Sequence, residues 1–265
     1  YGGTEDHDQY GQLVLSTTHQ LLRYDGAFDF MVIDEVDAFP FHFDRMLRDA
    51  VDRAKKPAAT AVYLTATPTN ALKKRYFGKD LPGVRIPVRY HGHPLPVPFF
   101  KRCGNWKKAL NRGSLPEVVF RWIMSRFERS VQAFLFVPTI EVMNQAAELF
   151  KKQIVTVAGV HSEDPRRREK IESFRAGELS ILVTTTILER GVTVAGAEVA
   201  VLGSDENVFT EQALVQIAGR AGRSAAAPYG EVIYFFETKT KEMVKARRHI
   251  QSMNKEAFSK ADAKS

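Results

Sequence analysis

Short apolar runs alternate along the chain with longer polar stretches whose apolar residues recur at helical spacing. Such runs, bounded by polar or turn-forming residues, are typical of buried strands. The runs that predict strands are 13–15, 29–33, 61–64, 84–88, 133–137, 154–157, 180–183, 199–202 and 232–236. Helices are predicted between several of them, over about 44–55, 115–129 and 139–151. Strands that alternate with helices imply parallel sheets with right-handed crossovers, so we predict an α/β fold.

The stretch from Arg89 to Pro98 is dense in proline and glycine, which favours an extended linker between two units. A chain of 265 residues is long enough for two domains of ordinary size. We therefore predict a first unit over 1–90, a linker over 91–100 and a second unit over 101–245. A basic tail is expected over 246–265.

The formal charge of +7 and the pI near 9.4 favour a polyanionic partner, most simply a nucleic acid. An ordinary basic protein is the alternative, and charge alone does not separate the two. The single cysteine, Cys103, excludes an internal disulfide and weakly favours a reducing, cytoplasmic location. No apolar run has the length of a membrane span, so no direct membrane insertion is expected. The first residue is not Met, which favours a piece of a longer protein.

Three carboxylates, Asp34, Glu35 and Asp37, follow the apolar run at 29–33 within four positions. In α/β nucleotide enzymes, a strand that ends in acids holds Mg²⁺ at the carboxyl edge of the sheet. The alternative is a strand followed by a solvated acidic turn. The next predicted strand ends in hydroxyl residues, Thr65 and Thr67, which could link such a metal site to a neighbouring surface. Threonine and proline also simply end strands.

Further hydroxyls stand at strand ends or helix starts, where they can bind phosphates without reading bases. These residues are Thr17, Thr18, Thr139, Thr185 and Thr186. For the first two, helix capping explains the spacing equally well.

Near the end of the second unit, Arg220 and Arg223 stand three positions apart on a predicted helix and would share one face, which Gln216 could join. A solvated basic face is the alternative.

Four motifs stand in order along the chain, and together they resemble motifs II, III, V and VI of the superfamily 2 helicases. They are Asp34–Asp37, Thr65–Thr67, Thr184–Thr193 and Gln216–Arg223. The runs at Ser16–Arg23 and Tyr90–Pro98 extend the resemblance to the late-competence DNA-uptake ATPases, the ComFA family. The resemblance covers nearly the whole chain. It implies tandem RecA-like domains with parallel sheets, the first one incomplete.

The resemblance also implies roles for these residues. Asp34, with Glu35, would hold Mg²⁺, and Glu35 would orient the water that attacks ATP. Asp37 would couple this site to Thr65 and Thr67. The arginines Arg220 and Arg223 would reach the γ-phosphate, with Gln216, Asp37 and Gly191 also at the nucleotide.

The chain departs from the family pattern at several points. It lacks the phosphate-binding loop Gly-x-x-x-x-Gly-Lys-Ser/Thr, and the nearest match, Gly78-Lys79-Asp80, lacks the earlier glycine and the hydroxyl. It also lacks the family's cysteine cluster for zinc, and Thr193 stands where many related helicases have Asp. An incomplete first domain should expose apolar surface.

We therefore expect a fragment of an ATP-dependent single-stranded-DNA translocase, located in the cytoplasm or at the inner face of the membrane. The membrane DNA-uptake channel and other competence proteins are the expected partners. A related DNA-repair or RNA helicase, and a non-enzymatic nucleic-acid-binding module, are the alternatives.

Overall fold

The computed structural model describes residues 11–37, 41, 44–154, 156–186, 194–222 and 227–259. The chain forms two compact units, Tyr1–Gly83 and Val84–Ser265. The structure thus divides the chain earlier than the boundary after residue 90 that the composition indicated. No helix of the described residues combines the length and the apolar character that crossing a bilayer requires.

The described part of the first unit begins with a 3₁₀ helix, Thr18–Arg23. It continues with strand β1 (Phe28–Ile33), helix α1 (Arg45–Ala54), strand β2 (Lys55–Tyr63) and helix α2 (Asn70–Phe77). The two strands pair in parallel, with Ile33 opposite Tyr63, so α1 forms the crossover between them. Asp44 caps α1 by accepting a hydrogen bond from the backbone N–H of Met46 at 2.8 Å.

The described part of the second unit has six parallel strands in the order β3-β8-β7-β4-β6-β5. Its elements in chain order are β3 (Phe99–Arg102), α3 (Trp106–Asn111), α4 (Glu117–Glu128), β4 (Ala133–Phe136), α5 (Ile140–Lys151), β5 (Val157–Val160), α6 (Arg167–Arg175), β6 (Ile181–Thr184), β7 (Glu198–Leu202), α7 (Glu211–Ala218), β8 (Val232–Phe236) and α8 (Lys241–Ser259). Helices and parallel strands alternate over most of this unit, which confirms the predicted α/β class.

The sheet of the second unit is buried on both faces. Along β4, Phe134 and Phe136 belong to one apolar cluster, whereas Ala133 and Leu135 belong to the cluster on the opposite face. Successive side chains of a strand point to opposite faces, so a strand between two layers of helices needs apolar residues at every position. This requirement explains the uninterrupted apolar runs. The tryptophans Trp106 and Trp122 are 1% and 6% exposed, which confirms that they pack in the core.

The sheet of the first unit is covered on one face. Met31 and Ile33 of β1 pack against α1, whereas the alternate residues Phe30 and Val32 are 60% and 55% exposed. The apolar run of β1 predicted a strand buried on both faces, and the described residues bury only one. The exposed side chains agree with the expectation of apolar surface on this unit.

Two predicted strands are absent from the described residues. Leu13–Leu15 has no regular secondary structure, and Leu13 and Leu15 are 79% and 88% exposed. Val84–Val88 is also irregular and belongs to the second unit. Short apolar runs do not determine a strand unless a neighbouring strand pairs with them, and these two find no such partner in the described structure.

The C-terminal helix continues beyond the predicted end of the second unit at residue 245. Helix α8 runs to Ser259, and Ala246 and Ile250 are fully buried in the core. The first part of the segment predicted as a basic tail is therefore packed helix.

A buried ion cluster lies at the amino ends of β7 and β8. The Arg126 guanidinium of α4 donates from Nε to Glu198 at 2.7 Å and from an Nη to Glu231 at 2.5 Å. It also stacks over the Trp122 ring, 4.0 Å from its centroid. The side chains of Arg126 and Glu198 are 7% and 12% exposed, so each charge depends on the other for compensation.

We expect Arg126→Ala to lower the free energy of unfolding by about 3 kcal/mol, because it leaves a buried carboxylate without its partner. Urea unfolding followed by tryptophan fluorescence measures this, since both tryptophans of the chain lie in the second unit. Arg121→Ala is the matched control: it removes an exposed ion pair with Glu117 from the same helix and should leave the midpoint unchanged. Equal effects of the two substitutions would contradict the prediction.

Candidate functional site

The acidic residues after β1 and the threonines after β2 lie at the same edge of the first sheet. The backbone N–H of Leu64 donates to the Ile33 carbonyl at 2.8 Å, and that of Val36 donates to the Leu64 carbonyl at 3.1 Å. These bonds continue the parallel pairing beyond the strand ends. Parallel strands point their carboxyl ends the same way, so the two groups of polar residues emerge side by side.

The Asp37 carboxylate accepts a hydrogen bond at each oxygen. The Thr65 hydroxyl donates to Oδ1 at 2.5 Å, and the Thr67 hydroxyl donates to Oδ2. The Thr65 hydroxyl oxygen also accepts from the Thr67 backbone N–H at 3.1 Å. Since Thr67 is only 3% exposed, the carboxylate is held against the end of β2. The structure thus brings together the three residues to which the sequence assigned a coupling role, and that role stays a prediction.

Glu35 adopts a left-handed backbone conformation, with φ of 53°. Its backbone N–H donates to Asp34 Oδ1 at 2.8 Å, so the two acidic residues form a tight local turn. Non-glycine residues in this region are uncommon and are often found at functional sites. The turn leaves Asp34 exposed and Glu35 half-buried at the edge of the sheet.

The Asp34 carboxylate is the group at this edge that could bind a Mg²⁺ ion arriving with a nucleotide. Among the described residues, no three His, Cys, Asp or Glu side chains are grouped so that they could enclose a metal ion. Mg²⁺ commonly uses only one or two carboxylates and completes its octahedron with phosphate oxygens and water. The exposed Asp34 carboxylate suits that mode of binding.

The Gly78-Lys79-Asp80 sequence ends helix α2. The Gly78 N–H donates to the Lys74 carbonyl at 2.9 Å, and the Asp80 N–H donates to the Arg75 carbonyl at 3.0 Å. Lys79 has a φ of 65°, as expected for a residue that closes a helix in the left-handed conformation. These backbone N–H groups donate to carbonyls of the last helical turn, so they are not available to bind a phosphate.

In the second unit, hydroxyl residues meet at the carboxyl edge between β4 and β6. The two strands are neighbours, and the Val137 N–H donates to the Thr184 carbonyl at 2.8 Å. Thr139 caps α5 by accepting from Val142 N–H at 3.2 Å. Thr185 is 5% exposed, and its hydroxyl has no hydrogen-bond partner among the described residues. Thr186 follows directly and is half-buried.

Thr17 and Thr18 lie at the start of the 3₁₀ helix of the first unit. Thr17 occupies the cap position, but its side chain makes no capping hydrogen bond. The capping interpretation of this hydroxyl is therefore wrong in the described structure.

Helix α7 ends before Arg220, so the prediction that Arg220 continues the helical face of Gln216 is wrong. The helix stops at Ala218, Gly219 is its C-cap, and 219–222 form a turn. The Arg220 N–H donates to the Ile217 carbonyl at 3.0 Å, which is the tighter spacing of a 3₁₀ turn. Glycine is a poor helix former, which favours an end of the helix at Gly219. Gln216 is half-buried on α7, and Arg220 is 6% exposed.

The backbone packs closely around Gly222, which has a φ of 57°. Its N–H donates to the Ala197 carbonyl at 3.3 Å. A Cβ at Gly222 would lie 2.4 Å from the Pro228 carbonyl oxygen. Both the left-handed conformation of Gly222 and the nearby backbone at Pro228 therefore require glycine at this position.

Arg89 contacts this turn, and no pattern in the sequence indicates that contact. Its guanidinium donates from one Nη to the carbonyls of Ala221 and Gly222, at 2.9 and 2.7 Å. The residue lies 132 positions away from Ala221 along the chain, in a stretch that composition marked as linker. Gly191 and Arg223, both predicted site residues, lie outside the described residues.

Burial raises the pKa of the Cys103 thiol to about 12, and the nearby Asp205 carboxylate adds to the shift. The thiolate is the nucleophilic form, so Cys103 is protonated and unreactive near neutral pH. This agrees with the interpretation of Cys103 as a structural residue.

Comparisons with known proteins find one matching domain family and several similar proteins. The helicase conserved C-terminal domain matches residues 115–225. Competence protein ComFA of Bacillus subtilis is 51% identical over 254 residues, which cover 96% of this chain and 55% of that protein. Competence protein ComFA of Streptococcus pneumoniae is 37% identical, over 92% of this chain and 57% of that protein. The chain thus spans about half the length of the curated relatives it matches.

A solved structure of Saccharomyces cerevisiae Dbp5 bound to RNA and ADP BeF3 has a TM-score of 0.56. It is 18% identical, and the match covers 85% of this chain and 57% of that chain. The chain thus carries the helicase conserved C-terminal domain and shares its fold with Dbp5. Its close homologues are the ComFA competence proteins.

Gly222→Ala should lower the free energy of unfolding by about 3 kcal/mol, because the backbone must shift to admit a Cβ in a strained conformation. Urea unfolding of the purified chain measures the change. Gly177→Ala is the matched control: Gly177 also has a positive φ, 82°, but a Cβ there meets no atom within 4 Å. Gly177→Ala should lower the free energy of unfolding by only about 1 kcal/mol. Equal losses would show that the close approach at Gly222 is unimportant.

Proposed function

We propose that the chain is part of an ATP-dependent translocase that moves along single-stranded DNA when competent bacteria take up transforming DNA. The observation that carries this proposal is the Asp37 carboxylate, which accepts hydrogen bonds from both Thr65 and Thr67. It joins the acidic end of β1 to the threonine-bearing end of β2. The names of the competence relatives supply the biological context.

ATP hydrolysis would depend on charge neutralisation and on positioning of the attacking water. Asp34 would hold Mg²⁺, which neutralises the phosphate charge when MgATP is bound. Glu35, half-buried beside it, would orient the water. From the second unit, Arg220 and Arg223 would stabilise charge on the γ-phosphate, with Gln216 and Gly191 as further nucleotide contacts. The bound ADP BeF3 of the similar Dbp5 structure supports ATP as the ligand of this fold.

Asp37 would transmit the state of the nucleotide. A change in the turn at Asp34 and Glu35 shifts Asp37 through two intervening peptide bonds, and Asp37 is bound to both threonine hydroxyls. Hydrogen bonds to a carboxylate are stronger than those between neutral groups, so motion at one strand end would reach the other. This link would couple hydrolysis to the nucleic-acid-binding surface.

The nucleic acid would bind through its phosphates. In the second unit, Thr139, Thr185 and Thr186 lie at the carboxyl edge between β4 and β6, and the Thr185 hydroxyl is unsatisfied among the described residues. In the first unit, Thr17 and Thr18 would add hydroxyl contacts. Contacts of this kind hold the backbone without reading bases, which suits a translocase. The net charge of +7 supports a polyanionic partner.

RNA is the second candidate substrate, and its support is the fold shared with Dbp5, which was solved bound to RNA. A DNA-repair helicase, or a binding module without catalysis, are the remaining alternatives. For the whole protein we propose a cytoplasmic location at the inner face of the membrane. The membrane DNA-uptake channel and other competence proteins would be its partners there.

Fluorescence anisotropy with labelled single-stranded DNA, duplex DNA and RNA of equal length tests the substrate. We expect salt-sensitive binding that favours single-stranded DNA. Thr185→Val should weaken it about fivefold through loss of a phosphate hydrogen bond. Thr156→Val is the matched control. The Thr156 hydroxyl donates to Ser180 at the amino edge of β5 and β6, at the opposite edge of the sheet from the proposed phosphate-binding residues. Preference for RNA, or equal effects of the two variants, would contradict the proposal.

The purified chain should not hydrolyse ATP at a useful rate, because it contains no Gly-x-x-x-x-Gly-Lys-Ser/Thr sequence to hold the β- and γ-phosphates. A phosphate-release assay with and without single-stranded DNA measures this. The full-length protein should hydrolyse ATP and lose this activity on Glu35→Gln. Steady DNA-stimulated turnover by the present chain would overturn the predicted inactivity. Full ATPase activity of the full-length Glu35→Gln variant would overturn the assignment of Glu35.

A further inference from the structure

Among the residues that the structure describes, the turn that carries Arg220 makes few hydrogen bonds within itself. Beyond the end of α7, Arg220 and Ala221 donate their N–H groups back to Ile217 and Ala218, and Gly222 donates to Ala197. The carbonyls of Ala221 and Gly222 lie past the last helical turn, where backbone acceptors need partners from elsewhere. A buried turn of this kind keeps its conformation only if those acceptors are satisfied.

Arg89 supplies both partners. One Nη of its guanidinium donates to the carbonyls of Ala221 and Gly222, and the other reaches the Pro94 carbonyl at 3.4 Å. The planar guanidinium holds its donors in a fixed geometry, and its positive charge strengthens the bonds to the carbonyls. The two carbonyls therefore have a defined position relative to each other.

Arg89 is itself anchored by the residues that follow it. The Leu95 N–H donates to the Asn254 side chain of α8, which donates back to the Leu95 carbonyl, both at 2.8 Å. Leu95 also packs against the core of the second unit. The stretch from Arg89 to Leu95 is thus fastened to α8.

We propose that Arg89 is a positioning residue for ATP hydrolysis: it fixes the turn at 219–222 that carries Arg220. This inference rests on the proposed function, which makes Arg220 a group that stabilises the transition state. Arg89 would act through its contacts with the turn. Its loss should therefore lower kcat while KM for ATP stays nearly constant.

Amide hydrogen exchange on the present chain tests the structural half of the proposal. Arg89→Gln should accelerate exchange of the Gly222 amide about tenfold, because the turn opens more often without its two carbonyl contacts. Arg85→Gln is the matched control: it removes an ion pair from the same segment but makes no hydrogen bond to the turn. Unchanged exchange at Gly222 in Arg89→Gln, or equal acceleration in both variants, would overturn the inference.

ATPase kinetics of the full-length protein test the functional half. Arg89→Gln should reduce kcat by up to about 10²-fold, the scale of a misplaced catalytic group, and add little in an Arg220→Ala background. Arg85→Gln should retain kcat. If Arg220→Ala leaves kcat intact, the proposed function fails. If Arg220→Ala abolishes turnover but Arg89→Gln does not change kcat, only the positioning inference fails.

Discussion

Parallel pairing of neighbouring strands is the constraint on which the rest of the structure depends. It brings the carboxyl ends of adjacent strands to one edge of each sheet, and the polar residues of the candidate site come directly after those ends. In the first unit this places Asp37 beside Thr65 and Thr67. In the second, Thr139 follows β4 and Thr185 follows the neighbouring strand β6. The strands themselves are apolar because their burial requires it, so chemistry is confined to the edges.

At those edges the backbone leaves regular secondary structure and forms short turns. Hydrogen bonds within these turns and from other segments of the same unit stabilise them. Glu35 is left-handed and turns against Asp34, while the end of β2 holds Asp37 in place. The turn after α7 depends on Gly222 and on Arg89. In both units, therefore, the residues assigned to chemistry lie in short turns, and contacts from other parts of the same unit hold those turns in place.

The second unit followed the sequence pattern closely, because its strands are buried on both faces and their apolar runs are unambiguous. The apolar pattern predicted strands wrongly where the apolar residues are neither buried nor paired with a neighbouring strand. Leu13–Leu15 and Val84–Val88 are apolar but irregular, and β1 is covered on only one face. It also failed at the end of α7, where the helix ends at Ala218, before Arg220. Periodicity predicts a helix more reliably than it predicts the residue at which the helix ends.

The sequence by itself determined the α/β class, the order of acidic and threonine motifs after successive strands, and the resemblance to superfamily 2 helicases. These features are local, because a few consecutive residues are enough to recognise each of them. Only the tertiary structure decided which of those residues touch, that Arg220 lies in a turn, and that Arg89 binds that turn. The physical reason is that Arg89 and Ala221 are 132 positions apart, and a hydrogen bond between a side chain and a distant carbonyl leaves no pattern in the sequence around either residue.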